Sequence, residues 1–425
     1  MKQLLKIKSR FIFLLKAFLI TGLALSSQAF AQQAKSLDDY LSRAKSNSPL
    51  LNDLNNQVYS LKIDSLKLKA EYGFQVEGYG DLTYPTSVNG WGYNGSLYTE
   101  QNLAAIVRVT RDLLGKGNLN SRLANYNLEI QQTLNKSEIT VQTLNRAVTE
   151  QYIHTYASQQ QYDIVKEIVQ LLEQEDNVLN ELTKTAVFKQ TDYLTFKVIL
   201  QQNMLELKQR GSEWQNNYAI LNYLSGIVDT SLPKLDPPTM YTDDFVSFDE
   251  SVYAQSYHTD SLKIANEAKI IQYDYIPRLS VYADGGYSSA LASAPYKNFG
   301  FSAGLSLTVP IYDGNKKKKL LLQNQIAEDT RTKYNEFARN QYRQQIVQIQ
   351  AQIKQYSQMT EVANEQMKYA ETLIEANLKQ LPTGDVKVVD FILSINNYLN
   401  LKSGLVQFKT NLYNLHNQLH NLIIQ

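Results

Sequence analysis

The sequence contains no cysteine, which excludes disulfides, thiol catalysis and thiolate metal sites. It has no excess of charge: 42 Lys and Arg face 41 Asp and Glu. A net charge of +1 gives no electrostatic reason to expect nucleic acid as a partner. A mean hydropathy of −0.36 is too polar for a bundle of membrane helices. Beyond the N-terminal region, no run reaches the ~18–20 apolar residues that a spanning helix needs. Glycine and proline are absent from residues 118–210 and again from 315–381.

The N-terminus is the one long apolar stretch. Lys2, Lys6, Lys8 and Arg10 precede "FIFLLKAFLITGLAL", which is broken by Lys16 and followed by Ala29-Phe30-Ala31. That is the pattern of a secretory signal peptide over residues 1–31, with cleavage after Ala31. Export without a spanning helix leaves a periplasmic, a secreted or an outer-membrane β-barrel protein.

The two breaker-free runs predict helices far longer than the ~20 residues of ordinary globular ones. Ile164, Ile168, Leu171, Val178 and Leu182 follow coiled-coil spacing, with Glu175 at the missed place. Each run is interrupted once, by "TKTAVFKQTDYL" (183–194) and by "LPTGDVKVVDFIL" (381–393), and then returns to a helical pattern of similar length. Each therefore reads as a helical hairpin. The outgoing arms of about 65–70 residues would be on the order of 100 Å long.

Strand patterns lie between the helical parts. In "FGFSAGLSLTVP" (299–310), Phe299, Phe301, Ala303, Leu305, Leu307 and Val309 alternate with Gly300, Ser302, Gly304, Ser306 and Thr308. This period-2 pattern has the length of a tilted membrane strand. Its partner is 278–287, with Leu279, Val281 and Ala283 opposite Arg278, Ser280, Tyr282 and Asp284. The first half carries 74–84, with Phe74, Val76, Leu82 and Tyr84 opposite Gln75, Glu77, Tyr79, Asp81 and Thr83. It also carries 102–110, with Ala105, Val107 and Val109 opposite Ala104, Arg108 and Thr110, and Ile106 out of place. The expected pore-facing set is Gln75, Glu77, Asp81, Arg108, Arg278, Asp284, Ser302, Ser306 and Thr308.

The chain thus reads as an internal repeat. Residues 32–231 form the first copy, with a hairpin at about 113–228. Residues 232–247 link it to 248–425, with a hairpin at about 313–425. At the second strand-to-helix joint, "VPIYDGNKKKKL", Pro310 and Tyr312 end the strand, Gly314 turns, and Asp313 or Asn315 caps the helix. Its counterpart "TRDLLGKGN" lacks the proline and should be less sharply set. The four lysines read first as a solvated helix start, with lipid headgroup contact as the alternative.

Four strands cannot close a barrel, and an open edge cannot sit in lipid, where each unpaired backbone group costs several kcal/mol. Four strands per chain therefore demand oligomerisation. Three chains give twelve strands, enough for a water-filled lumen. Tyr79, Tyr84, Tyr93, Tyr98, Tyr282, Tyr287, Tyr296 and Trp91 read as aromatic girdles.

The segments "LTVPIYDGN", "YIPRLSVYADGGY" and "LNYLSGIVD" and the two tips resemble the TolC-like outer-membrane efflux protein family, over about Ser36 to Ile424. The resemblance implies a mixed α and β membrane protein. In such a homotrimer, a shared 12-stranded barrel continues into an α-helical periplasmic tunnel. It implies an exit duct in the outer membrane of a Gram-negative bacterium, served by a periplasmic adaptor and an inner-membrane transporter of RND, ABC or MFS type. It places adaptor contacts and a gate at the tips, which hold Thr191, Asp192, Gly384, Asp385 and Asp390. Family members commonly carry a second aspartate three positions after the first; this chain has Leu393 there. The missing cysteine excludes a lipid anchor.

No catalytic constellation or cofactor motif stands out. His416 and His420 are four apart on the last helix but lack an intervening glutamate motif. "LLGKGN" lacks the first glycine of a phosphate loop, which would fall at Thr110. Asp192 and Asp390 read first as helix caps, with Asp390 as a cation-binding gate ring in the sharper alternative. The competing reading is a periplasmic coiled-coil adaptor whose strands form a soluble sandwich.

Overall fold

The computed structural model describes residues 35–84, 91, 102–113, 115–239, 247–289 and 295–423. The expected signal peptide, Tyr93, Tyr98 and the later part of the linker fall outside the described residues. The elements run α1 (Leu37–Asn47), α2 (Pro49–Glu71), β1 (Gln75–Thr83), β2 (Asn102–Leu113), α3 (Lys116–Lys184) and α4 (Gln190–Leu224). They continue as α5 (Val252–Asp274), β3 (Arg278–Ser289), β4 (Phe299–Thr308), α6 (Lys316–Gln380) and α7 (Val388–Ile423).

The outgoing arms α3 and α6 have 69 and 65 residues, as their freedom from breakers predicts. The return arms have 35 and 36 residues, close to the lengths that the expected tips and hairpin ends leave for them. The opening helix of the first half is split at Ser48-Pro49. Ser48 caps α2 by accepting from the Leu51 amide, and Pro49 opens α2, where its missing N–H costs nothing.

The chain forms two compact units. The first holds the described residues up to Ser46, those from Val148 to 239, and Tyr356–Asn414. Its core combines Val165, Ile168, Leu172 and Leu179 of α3 with Phe196 and Leu200 of α4 and Met367 and Ile374 of α6. Phe391, Ile395 and Leu399 of α7 complete it. Ile164 and Ile168 of the expected heptad seam are buried in this core, but beyond them the seam shifts by one residue. Leu172 and Leu179 are fully buried, whereas Leu171, Val178 and Leu182 are only half-buried. Glu175 falls on the seam in either register, and burial pushes its carboxyl upward.

The start of the 232–247 linker is a bound strap rather than a free tether. Lys35 and Leu235 form a parallel bridge. Lys35 Nζ lies 2.6 Å from Asp229, and Tyr152 donates its hydroxyl to the Lys35 and Asp236 carbonyls at 3.0 and 2.8 Å. Beneath, the buried Tyr40 and Tyr218 hydroxyls share a 2.7 Å hydrogen bond.

The second unit holds Asn47–Ala147, the described residues of 241–355, and those from Leu415 on. Asparagine replaces much of the apolar contact between its helices. Asn135 donates to Thr259, Asn266 to the Ser121 carbonyl, Asn324 to the Ile264 carbonyl and Asn417 to the Arg146 carbonyl. Such buried amides stabilise only when satisfied, and they specify register as they do so. A small apolar cluster of Phe248, Tyr342 and Ile346 supplements them.

All four strands form one antiparallel sheet, ordered β1-β2-β3-β4. β2 runs three residues past its expected end, because Arg111, Asp112 and Leu113 pair with Val281, Ser280 and Leu279. β4 stops at Thr308, two residues before Pro310. Thr308 pairs with Arg278, which follows Pro277, so on the β3 side the ladder ends at a residue with no N–H to give, while Pro310, the expected end on β4, lies beyond Val309 and outside the ladder.

Candidate functional site

Register sorts the strand residues into two faces. Glu77 pairs with Arg108, Arg108 with Asp284, and Asp284 with Ser302, so one row crosses the whole sheet. Gln75, Asp81, Arg278, Ser306 and Thr308 share that face by the same parity. From Arg108 to Ser302 the row is hydrogen-bonded as well as aligned. Arg108 donates to Asp284 at 2.8 and 3.1 Å, and Ser302 donates to the other carboxylate oxygen at 2.6 Å. At one edge, Thr83 donates to Asp81 at 2.6 Å.

Tyr79 and Tyr282, also members of the expected girdle, lie on this polar face, as the alternation predicts. Tyr79 pairs with Ile106, and the Tyr282 ring lies 5.5 Å from the Arg108 guanidinium. Tyr282 also fills the space over Gly304, where an added Cβ would come within 2.6 Å of the ring. Tyr287 does lie on the other face, 5.3 Å from Phe299. Ile106, out of place in the alternation, lies opposite Gly286, whose missing Cβ would meet the Ala105 carbonyl at 2.2 Å. The close approach of two backbones explains both residues.

The opposite face is apolar and uncovered. Phe74, Val76, Leu82, Val107, Phe299, Leu305 and Leu307 are exposed, and Phe301 is 93% exposed. Burial of each such side chain is worth about 1.5–3 kcal/mol, none of which this chain collects alone. Unpartnered helical seams accompany it: Tyr59, Ile63 and Leu66 on α2, Leu194, Val198 and Leu205 on α4, and Val362, Tyr369 and Leu373 on α6 are all exposed. Their spacings of three, four and seven are those of coiled-coil contacts.

At the second joint, Gly314 and Asn315 are both left-handed, at φ +64 and +63. Asp313 accepts from the Lys317 amide at 2.7 Å, and that bond, first among its causes, holds the carboxyl below the usual carboxylate range. The expected turn and cap are thus divided between Gly314-Asn315 and Asp313, while Pro310 and Tyr312 are exposed. At the first joint, Gly117 opens α3 against the Tyr273 ring, where a Cβ would come within 2.4 Å of the hydroxyl.

The two hairpin tips are the same turn. Val187 donates its amide to the Leu182 carbonyl at 2.9 Å, and Asp385 donates to Gln380 at 3.2 Å. Ala186 and Gly384 precede them at φ +63 and +74, the Schellman arrangement. The tips touch, since Val187 Cγ1 lies 2.9 Å from where a Gly384 Cβ would stand. Asp192 and Asp390 occupy equivalent third positions of α4 and α7. The expectation that Asp192 caps is corrected: Lys189 is the N-cap of α4 and makes no side-chain cap bond. An aspartate in the first turn still favours the helix through its dipole. Thr191, Gly384, Asp385 and Asp390 are exposed and Asp192 is half-buried, with Asp385 accepting from Thr383 at 2.6 Å. Sequence reasoning missed Ala186 and Val187, because a left-handed alanine has no compositional signature. Among the described residues, no group of three or more His, Cys, Asp or Glu is placed to hold a metal ion.

No family model and no curated protein sequence matches the chain. Solved structures do. The chain superimposes on the outer membrane protein VceC from Vibrio cholerae with a TM-score of 0.74 at 13% identity, over 91% of this chain and 95% of that one. It superimposes on CusC with a TM-score of 0.75 at 12% identity, over 92% of each. With the Campylobacter jejuni CmeC outer membrane channel the TM-score is 0.73 at 11% identity, over 91% of this chain and 85% of that one. The chain therefore has the fold of outer-membrane channel proteins. The TolC-like resemblance read from the residues holds at the level of the fold.

Proposed function

We propose that the chain is one third of a passive outer-membrane channel, the exit duct of a tripartite efflux or type I secretion system in a Gram-negative bacterium. The observation that carries this reading is the sheet: four strands, two unpaired edges, one exposed apolar face and one polar row. Lipid accommodates that apolar face only if the edges close. Three copies of four strands give a twelve-stranded barrel with the Glu77–Arg108–Asp284–Ser302 row facing water, a homotrimer whose halves descend from an internal duplication. The exposed coiled-coil seams on α2, α4 and α6 would pair between copies. VceC, an outer membrane protein, and CmeC, an outer membrane channel, support this location by their shared fold.

The channel supplies no chemistry of its own and is not an enzyme. A periplasmic adaptor would meet the hairpin tips, and an inner-membrane pump of RND, ABC or MFS type would supply energy. Opening would move the hairpins apart, an equilibrium biased by partner binding. The test is extraction in detergent followed by electrophoresis with and without heating. A heat-sensitive trimer that conducts ions in planar bilayers is expected. A monomer soluble without detergent would refute the channel and favour the adaptor.

A further inference from the structure

The rim where strands meet helices carries cations that the channel reading leaves unused. Register places this rim at the Gln75–Thr110, Leu113–Leu279 and Arg278–Thr308 pairs. Arg111 has the parity of Val107 and Val109, so its guanidinium stands on the apolar face. It is exposed and lies 4.8 Å from the Phe74 ring centre, with no carboxylate partner among the described residues. An arginine facing lipid is costly at mid-depth and nearly free at headgroup level.

At the same rim α6 opens with four lysines and no acidic residue in its first turn. Cations there oppose the helix dipole, whose positive end they share. Lys317 lies 5.4 Å from the Tyr275 ring centre. Lys316, Lys318 and Lys319 are exposed and make no ion pair among the described residues. Immediately before them Ile311 and Tyr312 are 95% and 87% exposed. Cations placed against their own helix dipole, beside uncovered apolar side chains, are complementary to an anion at the edge of hydrocarbon.

We propose that this rim binds the headgroups of anionic phospholipids in the leaflet on the helical side, and so sets the depth of the barrel. Arg111, Lys316, Lys318 and Lys319 supply the charge, while Phe74, Ile311 and Tyr312 enter the interface. The inference rests on the barrel reading. Its occupant is a lipid rather than free phosphate, because the cations adjoin exposed apolar surface.

Spin-labelled phosphatidylglycerol and phosphatidylcholine, added to the reconstituted full-length protein, report their relative association from the motionally restricted spectral fraction. Each surface cation near anionic lipid is worth about a factor of five. Phosphatidylglycerol is therefore expected to associate about fivefold or more better at low salt. The preference should fall toward unity in Lys316→Gln/Lys318→Gln/Lys319→Gln and partly in Arg111→Gln. Equal association of the two lipids with the wild type, an undiminished preference in the triple variant, or its abolition by added inorganic phosphate at constant ionic strength would overturn the proposal. Absence of any restricted lipid of either kind would instead overturn the barrel.

Discussion

Replacing Gly384 with alanine separates backbone conformation from side-chain contact at the hairpin tip. Gly384 is the left-handed residue of its turn, at φ +74. An L-residue there costs about 1–2 kcal/mol. The lower freedom of alanine in the unfolded chain returns about 0.4–1 kcal/mol. The new Cβ would also stand 2.9 Å from Val187 Cγ1, but Val187 is 48% exposed and has room to rotate away. Strain therefore dominates, and the turn loses about 1 kcal/mol net. The loss falls on local opening, because the α3–α7 core below is untouched. The amides of Gly384 and Asp385, bonded to Leu381 and Gln380, should exchange hydrogen about fivefold faster. Adding Val187→Ala should restore less than half of that loss. Ala186→Gly should act in the opposite direction, slowing exchange of the Val187 amide bonded to Leu182. Exchange unchanged in Gly384→Ala, or fully restored by Val187→Ala, would refute the reasoning that conformation governs this turn.

Three further outcomes are expected. The Asp229 carboxyl is held below the usual range, first by its hydrogen bond from Lys35. Its contribution is therefore present above its unfolded pKa of about 4 and lost as pH falls below it. Asp229→Asn should lower stability by at most about 1 kcal/mol at pH 7 and flatten the acid limb of thermal unfolding. Gly286→Val should abolish the heat-sensitive trimer on gels, because its Cβ would meet backbone atoms of Ala105 and Ile106 at 2.2 and 2.8 Å, which cannot yield as a side chain would. Asp390→Ala should raise single-channel conductance or weaken divalent-cation block if three carboxylates ring the entrance. Unchanged currents would leave Asp390 only its dipole role at the third position of α7.

Strands and long helices were legible because each writes a period into the sequence. Phe299–Val309 alternates without exception, and nothing breaks residues 118–184. The seam register of α3 was not legible, since apolar residues at 164, 165, 168, 169, 171 and 172 fit two heptads, and only packing against three other helices chooses Leu172 over Leu171. The side on which Tyr79 and Tyr282 lie was legible from parity within the strand. The polar row was readable residue by residue, whereas its connection across four strands needed the pairing of residues 176 positions apart.

The alternation in β1–β4 also bears on how such a chain travels. Apolar side chains confined largely to alternate positions of strands 9 to 12 residues long leave no segment that reads as a membrane stop. The described helices, with none long and apolar enough to span, add no such segment. On the proposed channel reading, the polypeptide would cross one membrane as a water-compatible thread. Its affinity for a second membrane would come into being only when pairing gathers the scattered apolar positions onto one surface, so the destination would be encoded in the folded sheet and silent in the passing chain.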